Sequence, residues 1–186
     1  MATWIGVMLL LTIPAAPAQQ RLASAVVHPF GDEDPDVRAI VSGRVGLPPN
    51  VTVPSSFADL VDVMLRSSPT FRAQCSRIGR AGRLHVTVER SLSASPQAAV
   101  THLTRLDNGR LQAEVELGLF GDPVLLIAHE FEHIIEQLDG VDLGAMADRS
   151  GTGVRADSRT GQFETERAIA IGKRVAREVS GAVARR

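Results

Sequence analysis

Apolar residues recur along this chain with two alternating periods, and the changes of period mark out its elements. Phe57, Leu60, Val61, Met64 and Leu65 share one face at a spacing of 3.6, which predicts a helix opening at Ser55 or Ser56 as cap. Ser68-Pro69 starts a second helix with proline in its first turn, striped by Phe71, Cys75 and Ile78. The period then falls to two. Leu84, Val86 and Val88 alternate with His85, Thr87 and Glu89 as in a half-buried strand, and a polar Ser/Pro linker follows at 91–96. Residues 100–106 and 111–117 flank Asp107-Asn108-Gly109-Arg110, a hairpin signal, and Leu111, Ala113, Val115 and Leu117 face inward on the second arm. Gly121-Asp122-Pro123 then opens a helix, with Asp122 as cap, that runs through Leu138 and is apolar nearly all round.

Residues 139–162 are rich in Gly, Asp, Ser and Arg and show no period, which predicts a long loop serving as lid or tether. Periodicity returns over 163–179. Ala168, Ile171, Val175 and Val179 line one side of a predicted helix together with Glu164, while Glu166, Lys173 and Arg177 lie on the solvated side. The predicted class is α+β, with a small antiparallel sheet or hairpin packed against the buried helix and a C-terminal helix. Residues 55–186 form one domain, and 19–54 an extended arm broken by Gly31-Asp32-Glu33-Asp34-Pro35-Asp36, Leu47-Pro48-Pro49-Asn50 and Pro54. Ahead of the arm, Trp4 to Ile13 is too short an apolar run to span a bilayer, and Ala16-Pro17-Ala18 fits a small-x-small cleavage site. Residues 1–18 thus read as a signal peptide, giving a secreted or periplasmic product with no stable membrane span after cleavage.

Composition narrows the partners. With 186 residues, 44% of them hydrophobic, and a formal net charge of −1, a soluble globular chain is expected, and neither nucleic acid nor an anionic membrane is suggested. Arg72, Arg77, Arg80 and Arg83 cluster without interleaved aromatics, as on a solvated helix face. A lone cysteine, Cys75, forbids an internal disulfide and suits a buried small hydrophobe.

The chemistry lies in His129-Glu130-Phe131-Glu132-His133. Residues four apart on a helix stand about 5–6 Å apart at Cβ, so His129 and His133 can share one metal, and Glu130, about 100° round, can reach a water beside it. In a chain of this length and composition, chance H-E-x-x-H matches number under about 0.01, so coincidence explains it poorly. Ionisable groups inside an apolar helix cost several kcal/mol unless paired or metal-bound, and a Glu164 centred on an apolar stripe likewise needs a cation.

At these residues the chain resembles the zincin metallopeptidases, and His, His and a Glu on a later helix is the gluzincin arrangement. The resemblance implies one Zn²⁺ held by His129, His133 and Glu164 with an open position for water. Glu130 would take that water's proton during hydrolysis of a peptide or protein substrate. It also implies that an edge strand, one arm of the hairpin, pairs with the substrate backbone. Departures are visible. The Asp that many gluzincins place four residues after the ligand Glu is Ala168, which leaves Asp139 or Asp142 to support a His. The metzincin continuation would end at Asp139, but its required glycine is Glu136, so Glu164 is favoured as third ligand. There is no tyrosine, so the oxyanion role falls to a His or Arg or is missing; His85 and His102 are candidate polar neighbours of the site, though each is more simply read as a surface strand residue. The alternative is a non-catalytic zincin-like metal-binding protein that holds a peptide or protein partner. A purely structural zinc would need a fourth ligand such as Asp139 or Asp142.

Overall fold

The computed structural model describes residues 46–91, 99–157 and 162–185. The expected signal peptide, the arm as far as residue 45 and most of the linker lie outside the described residues. Part of the arm belongs to the folded body: Val51–Thr52 forms β1, and the Asn50 amide donates to Ile78 O and Leu84 O, both at 3.0 Å.

Helix α1 (Ser55–Ser67) buries Phe57, Val61, Met64 and Leu65, as the pattern predicts. Its N-cap is Pro54, not a serine, and no side chain caps it. Helix α2 (Pro69–Gly79) starts as expected, with the Ser68 hydroxyl accepting from Phe71 N at 2.9 Å. The Arg72 guanidinium turns back to donate to Leu65 O at 2.8 Å and Arg66 O at 3.2 Å, so it closes the end of α1 as well as edging α2.

Strands β2 (Leu84–Arg90), β3 (Ala99–Arg105) and β4 (Leu111–Leu117) complete a sheet of order β1-β2-β4-β3. The sheet is mixed where an antiparallel one was expected: β1, β2 and β4 run parallel, and only β3, at the edge, is antiparallel to its neighbour. Alternation puts Leu84, Val86 and Val88 on the face of Leu111, Ala113 and Val115 in either direction, so it carries no signal for strand polarity. Gly109 makes the hairpin turn at φ 76, a backbone region that costs a glycine little.

Helix α3 (Pro123–Leu138) is capped by Asp122, whose carboxylate accepts from Val124 N at 3.0 Å. It is buried along most of its length, and Phe131 stacks on Phe71 with ring centroids 5.6 Å apart. The stretch expected to be a long loop is built instead from short elements. Helix α4 (Leu143–Ala147), capped by Asp142, is followed by strands β5 (Val154–Asp157) and β6 (Gln162–Thr165), which pair antiparallel. Helix α5 (Glu166–Val183) then lies along α3. Gly172 makes the contact close: a Cβ there would stand 2.9 Å from Leu125 O and 3.2 Å from His129 Cβ.

Buried polar bonds tie the helices together. Glu132, 4% exposed, accepts from Gln74 Nε2 at 2.8 Å and Arg167 Nε at 2.7 Å, joining α2, α3 and α5. Glu178 of α5 takes the hydroxyls of Ser68 and Thr70 at 2.5 and 2.7 Å, over the start of α2. The architecture is α+β, and among the described residues no helix is long and apolar enough to cross a membrane.

Candidate metal centre

One helical turn apart on α3, His129 and His133 turn their Nε2 atoms to within 3.1 Å of each other. Glu164 Oε1 lies 3.2 Å from the first and 3.8 Å from the second. A tetrahedral zinc with bonds of about 2.0–2.2 Å sets its ligand atoms about 3.3–3.6 Å apart, so these separations suit such an ion with little movement. The electrostatics point the same way. Carboxylates of Glu130, Glu136 and Glu164 surround the two rings, an excess of negative charge that a divalent cation would offset. Burial alone would lower the His129 pKa, but the Glu164 hydrogen bond and the neighbouring carboxylates outweigh it and hold the ring above its ordinary value. Burial raises the Glu164 carboxyl, yet His129, His133 and the Thr165 N–H hold it below the usual carboxylate range.

Glu164 arrives by a route different from the predicted one. It stands on β6 rather than on the helix, and its side chain is 46% exposed rather than in the core. Thr165 is the reason. Its hydroxyl accepts from Ala168 N at 2.9 Å as the cap of α5, which leaves Glu164 in extended backbone. Neighbours on a strand point to opposite faces: Thr165 turns inward to Glu136, and Glu164 outward to His129. A threonine followed by Glu166-Arg167-Ala168 is a helix-start signal, and it marks residue 165 as the boundary.

Glu130 is 4% exposed and accepts a hydrogen bond from the Thr101 hydroxyl of β3 at 2.7 Å. Desolvation raises its pKa; the Thr101 bond and the two imidazoles oppose this, Glu164 adds to it, and the net shift is upward. Nothing in the sequence pairs Thr101 with Glu130, because a strand-to-helix contact across 29 positions leaves no periodic trace.

The carboxylates expected to support a histidine are engaged elsewhere. Asp139 pairs with Arg77 at 3.0 Å and Arg167 at 3.1 Å, and Asp142 accepts from Ala145 N at 2.9 Å as the cap of α4. Glu136 stands in their place. Its Oε2 is 2.9 Å from His133 Nδ1, and its Oε1 accepts the Thr165 hydroxyl at 2.8 Å. A glutamate three positions after His133 on the same helix is the signal that could have found it. Among the described residues, the His/Cys/Asp/Glu group arranged to hold a metal is His129, His133 and Glu164. His102 remains on β3, with its side chain 4.0 Å from Glu116. Arg155 stands directly opposite Glu164 in the β5–β6 ladder. Cys75 is buried, and burial pushes its thiol up to about 12, which suits a packing role.

No protein-family model, curated protein or solved structure matches the chain.

Proposed function

We propose that this chain is a zinc-dependent hydrolase of peptide bonds, with a zincin-like, gluzincin-type His–His–Glu ligand set in which Glu164 stands on a strand just ahead of the later helix rather than on it. The observation that carries the reading is the meeting of His129 Nε2, His133 Nε2 and Glu164 Oε1 beside the buried Glu130 carboxylate. His129, His133 and Glu164 would hold the zinc, which would supply a Lewis acid and a water of lowered pKa. The remaining steps belong to the chain. Glu130, a carboxylate whose pKa burial has raised, takes the proton of the water attacking an amide carbonyl and passes it to the leaving nitrogen. Thr101 keeps that carboxylate aimed.

Substrate geometry follows from the sheet. Of the two hairpin arms, β3 is the edge strand of the sheet, and Thr101 brings it against α3 beside Glu130. An extended peptide adding to β3 would therefore lie along the site. With no tyrosine in the chain, the oxyanion role is left to a His or Arg. A structural zinc closed by a fourth protein ligand is disfavoured, because Asp139 and Asp142 hold other partners. Together with the signal-like residues 1–18, the reading is of an exported metallopeptidase.

Metal analysis of the purified mature protein should give one zinc per chain, lost in His129→Ala and in Glu164→Ala. Glu130→Gln should keep the zinc and abolish cleavage of a peptide library. If wild type and Glu130→Gln both bind zinc and neither cuts any peptide, the non-catalytic binding protein becomes the better reading.

A further inference from the structure

We infer that Glu136 is a positioning residue that braces the two ligand-bearing segments against each other and fixes the tautomer of His133. The inference rests on the metal-centre reading for its purpose, but the proton arrangement it asserts stands without the metal.

Glu136 is 3% exposed, and among the described residues it pairs with the His133 ring and with no lysine or arginine. A buried carboxylate without a fixed cation costs several kcal/mol unless hydrogen bonds satisfy its oxygens. Both oxygens are satisfied. Oε2 meets His133 Nδ1, and Oε1 takes the Thr165 hydroxyl. Thr165 in turn donates its backbone N–H to Glu164 Oε1 at 2.9 Å and caps α5. One carboxylate thus secures a histidine on α3 and, 29 positions on, the residue next to the third ligand on β6. It supplies a support that Ala168, at the first turn of α5, has no side-chain group to give.

An ionised carboxylate only accepts, so the 2.9 Å contact between Glu136 Oε2 and His133 Nδ1 places a proton on Nδ1. That tautomer presents the Nε2 lone pair toward the cluster, as a metal ligand requires.

The test uses the mature full-length chain in wild-type and Glu136→Gln forms, with Glu114→Gln on the exposed side of β4 as control. Zinc affinity, measured by competition with a chromophoric chelator, should fall about 10- to 100-fold in Glu136→Gln and stay unchanged in the control. Imidazole ¹⁵N shifts of the metal-free wild type should show His133 protonated at Nδ1, and Glu136→Gln should shift the population toward Nε2–H. A metal-free wild type with His133 protonated at Nε2 overturns the inference, and so does a folded Glu136→Gln protein with wild-type zinc affinity and an unchanged tautomer. Should Glu136→Gln fail to fold, the wild-type tautomer still decides. A wild type that binds no zinc yet shows the Nδ1–H tautomer sinks the metal-centre reading and leaves the brace intact.

Discussion

Replacing Gly172 with alanine sets two effects of opposite sign against each other. Within a helix, alanine is favoured over glycine by about 0.8–1.0 kcal/mol, so a Gly172→Ala variant free of contacts would be more stable than wild type. Here the added methyl would lie 2.9 Å from Leu125 O and 3.2 Å from His129 Cβ. The nearer atom is backbone inside α3 and cannot rotate away, so α5 must move off by several tenths of an ångström. Overpacking of this kind costs about 1–3 kcal/mol, so the net change is a loss of roughly 0–2 kcal/mol. For a chain of this size that lowers Tm by a few degrees, about 2–4 °C per kcal/mol. The same displacement shifts His129 relative to Glu164, so zinc affinity should fall with stability. Gly181 provides the matched control on the same helix, because its added methyl would meet only the end of the Arg185 side chain at 3.9 Å. Urea unfolding should show Gly181→Ala stabilised by about 0.5–1 kcal/mol and Gly172→Ala destabilised. Equal stabilisation of the two variants, with zinc binding intact in both, would refute the claim that α3–α5 contact is limited at this glycine.

Three further outcomes are expected. Thr101→Val removes the hydrogen bond that lowers the Glu130 pKa, so the acid limb of the pH–rate profile for the proposed peptide hydrolysis should move to higher pH. An unmoved limb would separate Glu130 from the titrating base. Burial raises the Glu178 carboxyl, but bonds from Ser68, Thr70 and Arg174 more than offset this and hold it low. Its contribution to stability is therefore complete above the unfolded pKa of about 4.3 and is lost as pH falls through the lower folded value. Unfolding curves of Glu178→Gln should accordingly lose less stability than wild type below about pH 4.3. Cys75 should resist a thiol reagent in the native protein and react at the rate of global unfolding, since its sulfur is buried and its pKa stands at about 12; fast labelling at pH 8 would contradict the packing.

The local pattern determined a good deal by itself. Helices at 55–67, 69–79 and 123–138, the hairpin around Gly109 and the caps at Ser68 and Asp122 follow from periodicity and from donors and acceptors only a few residues apart. The His129, Glu130 and His133 set was legible for the same reason, since its members sit within one helical turn. Glu164 was also singled out as their partner, though on a helical argument; Thr165 caps α5 and leaves Glu164 on a strand. Tertiary structure alone decided the parallel course of β1, β2 and β4, which alternation cannot encode. It likewise diverted Asp139 and Asp142 to an ion pair and a cap, and it brought Thr101 to Glu130 and Thr165 to Glu136. Those last contacts join residues 29 positions apart. Which side chain reaches which then depends on how whole elements pack, and packing at that distance leaves no repeat along the chain to read.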